Sequence, residues 1–376
     1  MKVIYSIALY GALFLVPYTL IFAPGTSGSV KQPEVIVFGD SFNDMGRLNY
    51  QIGHTGYWRG RYSNGPVWPE YLAYIRGMPL ENDSIGGSSA TELAGPPLRM
   101  GYNIPSFKDQ FMDFKSRRLA SGELGSDDDF VAFNFGMNAF WWAAPMVVNG
   151  TMSPNLVISD ILRVSLKAID ELIDLGFRRI VFLNAGPLDL IPCFNDPKDK
   201  ESTQRKMDFV GLSVEDALKF GTLATNYANF LIDLAMLELR SSNDPRYEKV
   251  SMFDLTNMSR LIASDKEIQE HFNLTIVEQS CINGNGTNWD GASCSNPENH
   301  FFFDCQHPTT KIHALMGALV NQAGMNSNFV TDKESIIDMI DLYDLSQKTS
   351  DNLIEKVAKH AIEVESVDGY VPGNVH

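Results

Sequence analysis

Short apolar runs alternate with longer amphipathic stretches along this chain. Val35-Ile36-Val37-Phe38 is four apolar residues in a row, and it ends in Gly39-Asp40-Ser41. An uninterrupted apolar run closed by glycine predicts a strand buried on both faces, with Ser41 just past its carboxyl end. A helix is expected over 66–76, where Pro66 suits a first helical position. A short strand over 79–85 then meets Gly86-Gly87, two glycines that let backbone approach a ligand closely. A helix over roughly 104–118 follows, and then a third strand over 129–135, rich in β-formers and ending in Gly136-Met137-Asn138. Val157, Ile158, Ile161, Leu162, Val164, Leu166, Ile169, Leu172 and Ile173 recur at helical spacing, which predicts a helix over about 155–175 stopped by Gly176. A fourth strand over 179–184, a helix over 213–239, a fifth strand over 249–254 and a helix over 257–272 complete the alternation. The stretch 278–299 reads as a loop, and Pro308 is expected to open a helix reaching about 322.

Strands alternating with helices imply an α/β fold, a parallel sheet with helices on both faces. Five strands joined by single-helix crossovers suit a flavodoxin-like, doubly wound order 2-1-3-4-5. There is no internal repeat. The main domain is placed at 30–325. Residues 326–376 form an acidic, helical C-terminal extension, with helices expected over 335–345 and 351–364, either packed on the surface or loosely ordered.

The N-terminus modifies this picture. Met1-Lys2 precedes an apolar stretch over 3–23 and the small residues of Pro24-Gly25-Thr26-Ser27-Gly28-Ser29. That pattern describes a secretory signal peptide over 1–29, although the run is also long enough for an uncleaved anchor. Pro17 and the small residues favour cleavage, after Gly28 or Ser29, and a secreted, extracellular protein. The sequons at Asn82, Asn149, Asn257, Asn273 and Asn285 fit that compartment. So do four cysteines: Cys281 and Cys294 bracket a Gly/Asn-rich loop as a staple would, while Cys193 and Cys305 either pair or stay free. No spacing resembles a metal site, and no cofactor is called for. A net charge of −16 argues against a nucleic-acid partner and gives no attraction to anionic lipid, so no stable membrane association is expected once the signal is removed.

The chemistry gathers at the strand ends. A serine hydroxyl is a poor nucleophile until a base takes its proton. His307 is the candidate base, because imidazole titrates near working pH, and Asp304 lies three residues earlier, within reach of the ring. Of the rival histidines, His300 has no acid three residues before it, and His313 falls further along the following helix. The backbone N–H groups of Ser41 and Gly87 and the side-chain amide of Asn138 are the candidate oxyanion hole. A lone Gly-Asp-Ser is also a common turn or helix cap, so the assignment rests on the set. Trp141 and Trp142 read either as core or pocket wall or as a sugar platform.

Gly39-Asp40-Ser41, Gly87 after Gly86, Gly136-Met137-Asn138 and Asp304-Cys305-Gln306-His307 together resemble the four blocks of the GDSL, or SGNH, hydrolase family, over most of 34–320. The resemblance implies the SGNH hydrolase fold, Ser41 as nucleophile, His307 as base, Asp304 as its partner, and Gly87 and Asn138 in the oxyanion hole. Two departures stand out: Ala139 replaces the aspartate that usually follows Asn138, and Cys305 sits inside the last block. The stretches from Gly60 to Tyr71 and from Pro187 to Pro192 are similar to the fungal and plant-type branch, which includes secreted carbohydrate acetylesterases. The expectation is therefore a secreted serine esterase acting on short acyl esters, acetyl above all, carried by a small molecule or oligosaccharide. Arg61, Asn64, Trp141 and Trp142, beside Tyr57, Trp58 and Tyr62, would form its polar-aromatic rim. The alternatives are a GDSL lipase or phospholipase acting on longer chains, and a non-catalytic binding protein that keeps the fold.

Overall fold

The structure is a computed structural model that describes residues 32–48, 57–91, 93, 104–208, 211–282, 294–346 and 351–368. The signal segment 1–29 and Asn285 lie outside the described residues. Five strands form one parallel sheet in the order β2-β1-β3-β4-β5, as the alternation predicted: β1 (Val35–Gly39), β2 (Leu80–Asn82), β3 (Phe130–Asn134), β4 (Arg179–Leu183) and β5 (Val250–Phe253). Every residue of β1 and β3 is buried, which is why both read as unbroken apolar runs rather than alternating ones. In register, Gly39 pairs with Asn134 and Asn134 with Leu183, so three strands end level at one edge.

The helices in chain order are α1 (Trp68–Arg76), α2 (Phe107–Ser121), α3 (Met137–Val148), α4 (Pro154–Asp174), α5 (Pro192–Asn195), α6 (Pro197–Asp208), α7 (Val214–Ser241), α8 (Leu255–Ser264), α9 (Lys266–His271), α10 (Thr310–Met325), α11 (Lys333–Leu342) and α12 (Leu353–Asp368). One core joins both layers. Phe38 of β1 meets the edges of Phe107, Phe111 and Phe114 of α2 at centroid distances of 6.0, 5.9 and 5.1 Å. Full burial of such a ring stabilises by about 1.5–3 kcal/mol, so this cluster fixes α2 firmly against β1. On the other face α10 lies directly on α1. A Cβ at Gly317 would stand 2.6 Å from Tyr71 Cβ and 2.9 Å from Trp68 O, so only glycine allows that approach.

Four local expectations change. The stretch after β3 is a helix, α3, which is apolar almost all round and contains Pro145, so it gave no amphipathic signal. The helix expected over 257–272 is two: Asp265 breaks it, and its carboxylate caps α9 by accepting from the N–H groups of Glu267 and Ile268. The expected loop 278–299 begins and ends in a small parallel pair, β6 (Ile276–Ser280) and β7 (His300–Phe302), whose pairing spans a sequence gap that periodicity does not see. Pro308 bridges to Phe302 instead of opening α10, which starts at Thr310 after Thr309. At the C-terminal end Ile336, Ile340, Leu353, Ile354 and Val357 of α11 and α12 join the main core. Among the described residues no helix is long and apolar enough to cross a membrane.

Candidate active site

The site begins where β1 stops. Gly39 has φ +154°, and a Cβ there would lie 1.7 Å from Asn43 Nδ2 and 2.3 Å from Asn134 O, so the turn admits only glycine. Asn43 fills that space. Its Nδ2 donates to Phe38 O (3.1 Å) and Asn134 O (3.3 Å), and its Oδ1 accepts from Trp68 Nε1 (2.7 Å). The carbonyl of Asp40 accepts the N–H groups of Asn43 and Asp44, both at 3.0 Å, which closes a tight turn around Ser41. Ser41 therefore stands at the carboxyl edge of the sheet, where open α/β sheets bind ligands.

The structure brings Ser41, His307 and Asp304 together. Ser41 Oγ is 2.7 Å from His307 Nε2, and His307 Nδ1 lies 2.7 Å from Asp304 Oδ2 and 2.9 Å from Oδ1. A carboxylate can only accept, so Nδ1 carries the proton and Nε2 is free to take one from Ser41. Asp304 has no exposed surface. Its Oδ1 accepts the N–H groups of Gln306 (2.8 Å) and His307 (2.7 Å), and Oδ2 accepts the Tyr57 hydroxyl (2.6 Å). Burial pushes this carboxyl up, but the His307 imidazole and the hydrogen bonds outweigh it, and the group titrates below its usual range. The imidazole ring is in contact with Phe42 (5.6 Å between centroids) and Tyr62 (4.8 Å). A disulfide from Cys193 of α5 to Cys305 ties this loop to the body of the protein, and Cys193 N–H donates to Cys305 O at 3.0 Å.

The opposite side of Ser41 is braced by polar residues. Buried Asp44 accepts the N–H groups of Gly46 (2.8 Å), Arg47 (2.6 Å), Leu48 (3.2 Å) and Gly86 (2.7 Å), linking the Ser41 turn to the Gly86-Gly87 turn. Burial still pushes its carboxyl up against those donors. Gln110 of α2 adds a second link: its amide bonds Gly39 N (3.0 Å), Gly39 O (2.8 Å) and Ser88 Oγ (2.8 Å). Gly87 has φ +84°, a conformation that favours glycine. Asn138, in the first turn of α3, donates its amide to Ser88 O (3.0 Å) and Asp40 Oδ2 (3.4 Å), so it sits between the Ser41 and Gly87 turns. Asp40 is pushed up to about 7 by burial, against the Phe42 N–H and the charge of His307. Ala139, where the resemblance implies an aspartate, is buried in the apolar core.

The expected rim is rearranged. Arg61 is fully buried: its Nη2 donates to Glu70 Oε1 (2.7 Å) and its Nε to Oε2 (3.3 Å), an ion pair inside the fold and not a substrate contact. Asn64 Oδ1 accepts the Thr310 N–H (2.8 Å) at the start of α10, which gives this residue a structural task as well. Tyr57 and Tyr62 are buried beside the triad instead of facing a rim. Trp141 and Trp142 are half-buried, and Trp141 packs on Phe194 at 5.2 Å. His300 is 3.0 Å from Asn296 O through Nδ1. His313 is fully buried; its Nδ1 accepts the Trp68 N–H (3.3 Å), and burial lowers it from the usual 6.5 to about 3, so it stays neutral and is no base for Ser41. Cys281 and Cys294 are bonded to each other, as the staple reading expected. Of the sequons, Asn149 and Asn273 are exposed, whereas Asn82 and Asn257 donate their amides to Asn43 O (2.7 Å) and Thr331 O (2.6 Å). Sequence reasoning missed Asn43 and Gln110; Gln110 had one signal, a polar residue on the helix face that carries Phe107, Phe111 and Phe114.

An apolar cleft adjoins this machinery. Phe42, Met137, Gln306 and Pro308, each next in sequence to Ser41, Asn138 or His307, line it together with Leu190, Leu255, Met258 and Met316. It leaves about 20 Å³ for the centre of a water-sized sphere, room for little more than one water molecule.

The sequence is similar to known proteins. The GDSL-like lipase/acylhydrolase family matches residues 35–320. A phosphatidylcholine-sterol acyltransferase of Aeromonas hydrophila is 24% identical over 313 residues, covering 75% of this chain and 87% of that protein. A thermolabile hemolysin of Vibrio parahaemolyticus is 22% identical over 317 residues, covering 80% and 67%. GDSL esterase/lipase 6 of Arabidopsis thaliana is 23% identical over 333 residues, covering 76% and 84%.

Proposed function

The chain belongs to the GDSL-like lipase/acylhydrolase family and is a carboxylic ester hydrolase, and from that premise we propose that it cleaves short acyl esters through an acyl-enzyme on Ser41. The observation that carries this reading is the 2.7 Å contact between Ser41 Oγ and His307 Nε2, backed by buried Asp304 on the far nitrogen. As Ser41 attacks the ester carbonyl, His307 takes its proton and Asp304 stabilises the imidazolium. The developing oxyanion is held by the N–H groups of Ser41 and Gly87 and by the Asn138 amide, which turns from the Ser88 carbonyl towards the substrate oxygen. His307 returns the proton to the leaving alcohol, and water then releases the acid by the same steps in reverse roles.

The narrow cleft supports a short acyl group, acetyl or little longer. A carbohydrate is the proposed alcohol. Arg61 and Asn64 serve the fold, and half-buried Trp58, Trp141 and Trp142 are what is left for a sugar face. The second reading, a lipase for longer chains, is favoured by the apolar lining of the same cleft and by relatives named as lipases. Secretion is proposed on the two disulfides and the exposed Asn149 and Asn273.

A series of p-nitrophenyl esters from acetate to palmitate separates the readings. Each methylene held in an apolar groove adds about 0.8 kcal/mol of binding, so a lipase should gain kcat/KM with chain length. The short-acyl reading expects the reverse beyond butyrate. A preference for octanoate or palmitate, measured below the concentrations at which those esters aggregate, would overturn it.

A further inference from the structure

We propose that Tyr57 is a positioning residue of the triad, a buried hydroxyl that holds Asp304 from behind, and that the Cys281–Cys294 disulfide keeps Tyr57 there. This rests on reading Ser41, His307 and Asp304 as the working set.

The geometry comes from elements far apart in sequence. Tyr57 is 4% exposed, and its hydroxyl donates to Asp304 Oδ2 at 2.6 Å across 247 residues of chain. Asp304 Oδ1 already accepts two backbone N–H groups, at 2.8 and 2.7 Å. Among the described residues Oδ2 has no such backbone donor; it is shared between His307 Nδ1 and Tyr57. A buried carboxylate oxygen that loses one of two donors is both less fixed and less stabilised. Burial and the adjacent Asp304 push the Tyr57 phenol well up from its usual range, so it remains a donor at any working pH.

Tyr57 is in turn held by a satellite cluster separate from the main core. Its members are Tyr57, Tyr62, Cys281, Ile282 and Phe303, with Cys294 packed against them. The Tyr57 ring is 5.3 Å from that of Tyr62 and 5.8 Å from that of Phe303. Backbone bonds from Cys281 N to Phe302 O (3.1 Å) and Ile282 N to Phe303 O (2.8 Å) splice the disulfide-bearing segment directly onto the residue before Asp304. The disulfide closes a segment whose ends are 13 residues apart and so fixes the wall behind Tyr57.

The chemical consequence has a sign. The carboxylate charge is divided between the Tyr57 hydroxyl and the N–H of His307. Removing the hydroxyl concentrates that charge on the imidazole and favours its protonated form, which cannot accept the Ser41 proton. Among the described residues, Asp40 and His313 face His307 and Tyr62 stands beside Asp304; none of them changes in the substitution.

The test is the pH profile of kcat/KM for p-nitrophenyl acetate. Tyr57→Phe keeps the ring and its packing and removes only the donor. The acid limb is expected to move to higher pH by roughly half to one unit, and kcat to fall about tenfold with KM unchanged, since the Tyr57 hydroxyl is buried on Asp304. Replacing Tyr57 with 3-fluorotyrosine, a stronger donor of nearly the same shape, should move the limb the other way, a readout that survives even where Phe loosens the cluster. Ser41→Ala run in parallel separates the claims. Activity remaining in that variant overturns the triad itself. An inactive Ser41→Ala together with three superimposable profiles for Tyr, Phe and fluorotyrosine at position 57 overturns Tyr57 alone.

Discussion

Two regions of the molecule near Ser41 differ in character. On the base side, directional bonds dominate: Asp304 alone accepts from two backbone amides, an imidazole and a phenol, and Cys305 is bonded covalently to Cys193. On the proposed acyl side, the cleft is lined by Met137, Leu190, Leu255, Met258 and Met316, side chains that pack without directional bonds. Hydrogen bonds fix angles and distances, whereas thioethers and branched alkyl groups tolerate rearrangement. On the proposed reading, proton transfer is held to one geometry, while the identity of the acyl group is left to a surface that single substitutions can reshape.

Breaking the base side should have the largest effect. His307→Ala should lower kcat on p-nitrophenyl acetate by about 10⁴–10⁶, the range for triad losses, with melting temperature retained. A variant keeping more than a tenth of the activity would mean that the base is elsewhere. The oxyanion side comes next. Asn138→Ala should cost about 10²–10³ in kcat, the effect of one donor. An unchanged rate would show that Asn138 only bridges Ser88 and Asp40, the contacts it makes without substrate.

The acyl side should respond in selectivity and not in rate. Leu190→Ala, at a half-buried position of the cleft, should leave acetate turnover near wild type and raise kcat/KM for hexanoate relative to acetate by about tenfold, the worth of two accommodated methylenes. An unchanged ester series would detach this cleft from the acyl group.

The smallest effect contrasts His307 with its buried neighbour His313. Folding holds His313 neutral down to about 3, whereas the unfolded chain protonates it near 6.5. Between those values the unfolded state binds the extra proton, so stability falls as pH drops through 6.5 towards 3. Asp40, raised to about 7, works in the opposite direction and is common to both proteins in the comparison. His313→Gln, which keeps an acceptor for the Trp68 N–H, should remove about 2 kcal/mol of the acid destabilisation seen at pH 5 relative to pH 8 in urea unfolding. Parallel stability curves for the two proteins would contradict it.

The sheet was legible because each central strand is buried on both faces and therefore reads as one apolar run bounded by turn residues. The residues of the candidate site were legible where chemistry demands a residue type at a strand end: Ser41 after Gly39, Gly87, Asn138, and His307 three residues past its acid. What stayed hidden depends on contacts across the fold. Tyr57 and Arg61 looked alike in the sequence, two polar-tipped residues in an aromatic loop. The fold turns one onto Asp304 and the other onto Glu70, and neither Asp304 nor Glu70 announces its partner. Helix α3 was missed because an all-round apolar segment with an internal proline carries no period. The Cys193–Cys305 pairing was left open because a separation of 112 residues says nothing of distance in space.

Covalent trapping at Ser41 is the most direct test. The protein is incubated with a fluorophosphonate, digested and mapped by mass spectrometry. The expected outcome is a single adduct on Ser41, formed at a rate that collapses in His307→Ala and lost in Ser41→Ala. An adduct on another residue, or equal labelling of wild type and His307→Ala, would contradict the assignment of Ser41 as a nucleophile activated by His307.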